Sequence, residues 1–409
     1  MRNTRFGLAA ACSTIAMAWL AAPAQAQVTA PAEADASTTD GADIVVTANK
    51  RSENLSKVGM SVTAISGEAL QERKITSLQD LASVVPGLQF ASSTSNTPIF
   101  TLRGIGFNEN SLGVYPAVSV YLDQAPLPFP VLASHTAFDL ERVEVLKGPQ
   151  GTLFGQNSTG GAINYIAAKP TSSFEAGGDI SYGRFNQVAG NLYLSGPLSD
   201  TLQARVAATG LRQDAWQRSV TRPGDTNGKQ EYYAGRFLLD WAPTDTIKLA
   251  LNVNGWVDKS DPQAQQLIAK HPLDVAAIKP GFLAAPFVTG NARLADWTAK
   301  ILDPATGTIA DFSPFSDRKF YQLALRGDVD LTADLTLTSL TTYDHFTQKQ
   351  STDGDGLALN NFDLPHTDGQ LKSFNQELRL ANAQSNSFRW ILGANYEHST
   401  TADTNLRCG

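Results

Sequence analysis

From Phe174 onward the chain is written in twos. Nine segments of about ten to fifteen residues alternate apolar with polar side chains, which is the period of a sheet with two unlike faces. They are Phe174–Arg184, Gln187–Gly196, Thr201–Asp214, Tyr232–Ala242, Thr246–Asp258, Arg318–Leu331, Leu335–Thr347, Leu371–Asn382 and Phe388–His398. Ile247, Leu249, Leu251, Val253 and Val257 share one face, against Lys248, Asn252 and Asn254 on the other. The connections are lopsided. Gly196–Asp200, Pro243–Asp245 and Thr332–Asp334 are tight turns, whereas Lys259–Asp317 and Gln348–Gln370 are long. Tight turns on one side, long loops on the other and aromatic residues near strand ends predict a transmembrane antiparallel β-barrel. A secreted sandwich or propeller is the other fold such strands permit, but it would place fewer charges on inward faces.

The N-terminus supplies the compartment. Met1–Ala26 carries Arg2 and Arg5, then an apolar run, then Ala24-Gln25-Ala26. A charged start, a short apolar core and a small-x-small end make a secretory signal peptide. Its removal would take the formal net charge from −7 to −9 and leave Cys408 as the one cysteine, so no intramolecular disulfide can form. No later window reaches the roughly 18 continuous apolar residues of a spanning helix. An exported chain of this kind is either soluble or crosses a membrane as a barrel. An acidic balance without a Lys/Arg cluster excludes nucleic acid as a partner.

Residues 27–42 are rich in Ala, Pro, Thr and Asp and read as a disordered linker. The β-prone hexamer Asp43-Ile44-Val45-Val46-Thr47-Ala48 follows. It is either a strand offered to another chain's sheet edge or the first strand of the next domain. Residues 49–170 read as a compact α/β domain. Helices are expected over Gly67–Arg73 and Ser77–Val85, the second stopping before Pro86-Gly87. Strands are expected at Val58–Ile65, Ile99–Arg103, Val118–Leu122, Val143–Leu146 and Ala162–Ile166.

The last two strands flank Gly148–Gly161, which holds five glycines. A phosphate loop would place a Lys and a hydroxyl after its glycines. Here Lys147 precedes them and none follows, so the glycines serve tight turns and close backbone packing.

The stretch ERVEVLKGPQGTLFGQNSTGGAINYIAAKP, from Glu141 to Pro170, resembles the C-terminal signature of the plug domain of TonB-dependent outer-membrane receptors. Thr101-Leu102-Arg103-Gly104 is similar to the family's Ile-Arg-Gly strand, and Val120–Asp123 to its strand before Asp-Gly-Val. Leu81–Leu88 resembles its helix-to-Pro-Gly stretch, Asp43–Ala48 its TonB box, and FNQELRL with WILGANY its barrel strands. Gln124-Ala125 departs from the family's Gly-Val, which puts that turn's geometry in question.

The resemblance implies a mixed α/β plug inside a transmembrane antiparallel β-barrel. The family's barrel has 22 strands, so nine predict an incomplete barrel and a chain that is part of a longer receptor or a truncated product. It implies energy-coupled uptake of a scarce bulky nutrient such as an iron chelate, cobalamin or a glycan. The partners would be TonB with its inner-membrane energising complex, outer-membrane lipid and the transported ligand. No cofactor or metal is implied beyond iron or cobalt in the cargo.

The box Asp43, Ile44, Val45, Val46, Thr47 and Ala48 would bind TonB. Substrate would meet the plug loops Ser92–Thr97 and Phe107–Pro116 at Asn96, Asn108, Glu109, Asn110 and Tyr115, and the barrel loop holding Phe287, Trp297, Phe312 and Phe315. Arg103 and Lys147 would hold a charged contact to the barrel, with Glu377 as partner, because buried charges must be paired. A passive porin and an outer-membrane barrel enzyme are the rival readings. Against the enzyme, His135, His271, His345, His366 and His398 are scattered and no Gly-x-Ser-x-Gly occurs.

Overall fold

A computed structural model describes residues 44–409 apart from 74, 76–77, 94, 110, 156, 271–281, 303–306, 360–362 and 409. The expected signal peptide, the linker and Asp43 lie outside the described residues.

The chain enters through β1 (Val45–Val46), paired antiparallel with β2 (Glu53–Asn54). β3 (Val62–Ser66) leads into α1 (Gly67–Glu72), whose Ser66 hydroxyl caps Ala69 N at 3.2 Å. α2 (Leu78–Val84) ends before Pro86, as expected. A three-stranded sheet follows, made by β4 (Leu88–Ser92), β5 (Pro98–Leu102) and β6 (Ile105–Gly106). Then come β7 (Val118–Leu122), β8 (Ala125–Leu127), β9 (Leu140–Lys147), the short α3 (Gly151–Phe154) and β10 (Gly161–Ala167).

The plug's main sheet has the order β3-β9-β10-β7-β8. β7 and β10 lie inside it and are buried along their whole lengths. Strands covered on both faces should read as continuous apolar runs, and VSVYL and GAINYIA largely do. The turn Asp123-Gln124, where the sequence departs from glycine, holds both residues left-handed at φ +51° and +69°. Gln124 tolerates this strain because it is anchored: its N–H donates to Asn164 Oδ1 at 3.1 Å and its Oε1 accepts from Arg379 at 2.9 Å.

The second half is one antiparallel sheet of nine long strands. Its first members are β11 (Glu175–Gly183), β12 (Gln187–Ser199) and β13 (Leu202–Gln213). A small outer sheet interrupts with β14 (Gln217–Ser219) and β15 (Thr226–Asn227) before β16 (Gln230–Thr244) and β17 (Ile247–Asp258) resume the wall. The following excursion carries β18 (Leu294–Ala295), β19 (Lys300–Leu302) and β20 (Ile309–Asp311). The wall ends with β21 (Phe315–Thr332), β22 (Leu335–Asp353), β23 (Asp363–Asn382) and β24 (Ile391–Cys408). The order β11-β12-β13-β16-β17-β21-β22-β23-β24 follows the chain, each strand pairing with the next of the wall.

Two sequence expectations need correction. Gln348–Gln370 is not a loop throughout: β22 runs on to Asp353 and β23 begins at Asp363, so the two strands project as a hairpin. Lys259–Asp317 is not loop throughout either: it carries β18, β19 and β20, and Trp297 and Phe312 are buried within it while Phe287 and Phe315 stay exposed.

The wall is inside-out. Ile180, Leu192, Leu323, Leu325 and Leu331 stand exposed on its outer face, whereas Arg318, Gln322, Asp344 and Asn375 are buried on its inner face against the plug. Direct cross-strand partners arrange the inner face in rows. Arg236, Asn254, Gln322, Asp344 and Ser373 make one polar row. Two residues further outward, Ala234, Trp256, Phe320, Phe346 and Leu371 make an apolar one. Beyond that lie Tyr232, Asp258, Arg318 and Gln348, polar again. The apolar row belongs to one buried cluster with the plug's Leu112, Phe129 and Leu132.

Candidate functional site

Three sets of contacts join plug to wall, and each grows from an inward strand position. On the outward side, Arg318 of β21 pairs with Asp258 of β17, and its Nη1 donates to the carbonyl of Asn96 at 2.9 Å. His135 completes the group, its Nε2 2.8 Å from Asp258 Oδ2 and its ring stacked on Tyr232 at 4.0 Å. A left-handed Asn96 closes this plug loop, and its side-chain amide donates to the carbonyl of Asp261 at 3.1 Å. Thus Asn96 is held by the wall rather than standing free for ligand.

Midway, Arg205 Nε donates to Asp139 Oδ2 at 2.8 Å, and Arg236 donates to the carbonyls of Thr136 and Phe138 at 2.7 and 2.8 Å. Tyr115 stacks on Phe129 at 4.7 Å and donates to Glu397 Oε1 at 2.9 Å. It too is an interface residue. Of the other expected substrate contacts, Asn108 is exposed, Glu109 Oε1 accepts from Ser111 N at 3.2 Å, and Asn110 lies outside the described residues.

The third set lies at the tight-turn end. Lys50 is buried and reaches Glu377 Oε2 at 3.3 Å, while Arg379 Nε reaches the same carboxylate at 3.1 Å. The Lys50 ammonium also lies 4.6 Å from the Phe154 ring centroid. Burial lowers the Lys50 pKa to about 8, more than the neighbouring Glu377 raises it. Next to it Arg51 donates to Asn382 at 3.2 Å, Gln384 to the carbonyl of Ser52 at 2.9 Å and Arg389 to Glu53 at 3.0 Å.

Glu377 therefore meets Lys50, not the expected Arg103 and Lys147. Arg103 is exposed and donates to Ser61 Oγ at 2.9 Å, inside the plug. Lys147 sits beside Arg103, and its pKa is lowered by partial burial and by that like charge. Arg103 sits left-handed in the turn between β5 and β6, a placement that motif spacing does not encode. Sequence reasoning missed Lys50: Glu377 already has a cation two residues along its own strand in Arg379, and no local signal points across the chain to Lys50.

The hexamer itself is divided. Ile44 and Val45 are exposed, whereas Val46, Thr47 and Ala48 are buried. The N–H of Thr47 donates to both oxygens of Glu144 at 2.9 and 3.0 Å, and its hydroxyl donates to Glu144 Oε2 at 3.0 Å. Glu144 is fully buried and is neutralised by Arg142 Nε at 2.8 Å. Its neighbour across the sheet, Asn164, donates to the Thr47 hydroxyl at 3.2 Å.

A cavity of about 610 Å³ opens between plug and wall, bordered by Lys50, Tyr121, Phe154, Glu377, Arg379 and Glu397. Among the described residues no three acidic or histidine side chains form a ready metal cage, and no helix is long and apolar enough to cross a membrane. The second fact says nothing about strands.

Residues 54–162 match the TonB-dependent receptor plug domain family. The chain is 34% identical over 219 residues to the pesticin receptor of Yersinia pestis, which covers 51% of this chain and 31% of that protein. It is 33% identical over 161 residues to a vitamin B12 transporter of Vibrio vulnificus, covering 39% of this chain and 25% of the relative. Its fold matches the ferric yersiniabactin uptake receptor of Yersinia pestis at a TM-score of 0.60 and 21% identity, covering 85% of this chain and 50% of that one. For the siderophore receptor of Acinetobacter baumannii the TM-score is 0.67 at 17% identity, covering 86% and 47%. The chain thus spans about a third or less of these curated relatives and about half of these solved receptors.

Proposed function

We propose that this chain, which carries the plug domain and part of the barrel of a TonB-dependent outer-membrane receptor, serves energy-coupled uptake of an iron chelate or cobalamin. Among the proteins it resembles, one is named as a vitamin B12 transporter and one as a ferric yersiniabactin uptake receptor. One observation carries the reading. The hexamer that precedes the plug lies at the tight-turn face, the periplasmic side of barrels of this kind, and only its inner half is buried. Ile44 and Val45 are exposed, and the edge of β1 away from β2 would offer main-chain groups for strand addition to TonB, while Thr47 and Glu144 tie the following residues into the plug sheet.

Force applied at Ile44 would be delivered first to the β1–β2 pair and then to Glu144 on β9, next to β10. Such a pull acts on the centre of the plug sheet rather than its rim. Substrate would meet the outward loops and pass beside a plug whose contacts to the wall include polar pairs, which reform after displacement.

The test is a pair of measurements on the receptor in cells: surface binding of a ligand and its energy-dependent uptake. Val45→Pro removes one N–H and fixes φ, so it should abolish uptake and leave binding intact. Val45→Ala keeps the main chain and should be tolerated. Equal uptake by the proline variant and the wild type would make the hexamer a plug strand only. Uptake that survives collapse of the proton gradient would instead favour a passive pore.

A further inference from the structure

β24 differs from the wall strands before it. Where they carry the apolar row, at Trp256, Phe320, Phe346 and Leu371, it has Thr401. Its inward positions read Asn395, Glu397, Ser399, Thr401 and Asp403, polar throughout. The plug stands against this column at two levels. Outward, Leu112 N donates to Asp403 Oδ2 at 3.3 Å and the Tyr115 hydroxyl to Glu397 Oε1 at 2.9 Å. Toward the tight turns lies the cavity of about 610 Å³, with Asn395 and Glu397 on its wall side and Thr152, Leu153 and Phe154 of α3 on its plug side.

α3 is lightly secured. It is a single turn, too short to be stable alone, and within it only Phe154 is buried. Gly148 and Gly155 flank it, left-handed at φ +103° and +80°, and a Cβ on either would meet nothing within 4 Å. Crowding does not call for glycine there, so what the two positions supply is a backbone free to turn. Phe154 is the anchor, and the hexamer helps to hold it. Its ring lies in a buried cluster with Val46, Ala48, Tyr121, Leu146 and Ala162 and meets Tyr121 edge-on at 5.0 Å. The Lys50 ammonium lies 4.6 Å from the same ring and reaches on to Glu377 of the wall. Drawing the hexamer away therefore strips Val46 and Ala48 from the ring and pulls on Lys50.

We propose that α3 is a flap closing the tight-turn end of a polar lane along β24, and that the hexamer holds it shut through Phe154. On the premise of energy-coupled uptake, this names the moving part: α3 swings on Gly148 and Gly155 while the plug sheet stays seated. The sheet can stay because its own ties to the wall, such as Gln124 to Arg379 and Asp139 to Arg205, involve neither α3 nor the hexamer. Cargo leaving by this lane meets amides, hydroxyls and carboxylates, which suits a hydrophilic ligand that exchanges hydrogen bonds with the wall as it passes.

The test measures distances in the whole receptor by pulsed electron paramagnetic resonance, in a Cys408→Ser background. Spin labels at Thr152→Cys and Asn395→Cys report the flap. Labels at Pro128→Cys and Asn395→Cys report the plug sheet, because Pro128 follows β8 and borders the same cavity. Deleting residues 44–48 should lengthen the first distance and leave the second unchanged. Phe154→Ala should do the same with the hexamer in place, and Phe154→Leu should restore the short distance. A charged methanethiosulfonate reagent should label Ser399→Cys, in the lane, roughly tenfold faster or more when Phe154→Ala is added. Asn254→Cys, on the polar row of β17, should react no faster. A flap distance unchanged in both the deletion and Phe154→Ala would overturn the proposal. So would both distances lengthening together in Phe154→Ala, since the plug would then move as one body, and so would equal labelling of Ser399→Cys with and without Phe154. None of these measurements needs TonB or transport, so they decide on the flap even if uptake itself is refuted.

Discussion

The plug sheet and the wall sheet are made from the same residue types and bury opposite ones. In the plug, β7 and β10 hide Val118, Val120, Leu122, Ile163 and Tyr165 in a dry centre. In the wall, Leu323, Leu325 and Leu331 stand outside, while Arg236, Arg318 and Gln322 are covered by the plug. One sheet is ordered by water around it and the other by hydrocarbon around it. The difference teaches where each half is vulnerable: the plug to changes of volume and backbone, the wall to changes of charge on either face.

The largest break should come from the plug centre. Gly161 has φ +145°, and a Cβ there would lie 2.2 Å from the Leu146 carbonyl oxygen and 2.5 Å from Leu102. Gly161→Val should unfold or unseat the plug, seen as small-solute leakage in cells. Normal permeability and stability would refute this. On the inner wall, Arg318→Ala leaves buried Asp258 with His135 and the Ser260 N–H but without its guanidinium, and breaking such a pair costs about 3–5 kcal/mol. Urea denaturation should show a loss of that order, and an unchanged midpoint would mean the pair is not buried.

On the outer wall, Leu325→Lys should cost about 2–4 kcal/mol if that face meets the bilayer midplane. The same substitution would be nearly silent were the face in water, so folding measurements in lipid decide between the two solvents. The smallest effect is one of pH. Burial lowers Lys50 to about 8 from 10.5, so the unfolded chain holds this proton where the folded one has shed it. The contribution of Lys50 to stability should therefore rise with pH between about 8 and 10.5 and be flat below. Comparing denaturation of wild type and Lys50→Met across that window isolates it; parallel curves would refute the shift.

How much could be read in advance follows from the same contrast. The membrane-facing part of each wall strand was legible because two solvents impose strict alternation. Past the bilayer that constraint ends: Ser351, Thr352 and Asp353 are buried in succession, so the ends of β22 and β23 passed for loop. Short pieces such as β4 and α3 carry no period of their own and exist because the rest of the plug holds them. The plug–wall pairs were least legible. Motifs pointed at Arg103 and Lys147, but which cation meets Glu377 depends on how the plug is turned inside the wall. Lys50 lies 327 positions from its partner, and nothing local joins them.

The apolar row of Trp256, Phe320, Phe346 and Leu371, sealed against the plug's Phe129, has an electrical consequence. Polar rows above and below could each carry water and counter-ions, and a continuous polar path would conduct. Across this arc the path is interrupted by a layer of low permittivity. An ion entering it would shed its hydration at a penalty of several kcal/mol. At rest, this part of the gap between plug and wall should behave as an insulator, so that current through it would gauge plug displacement.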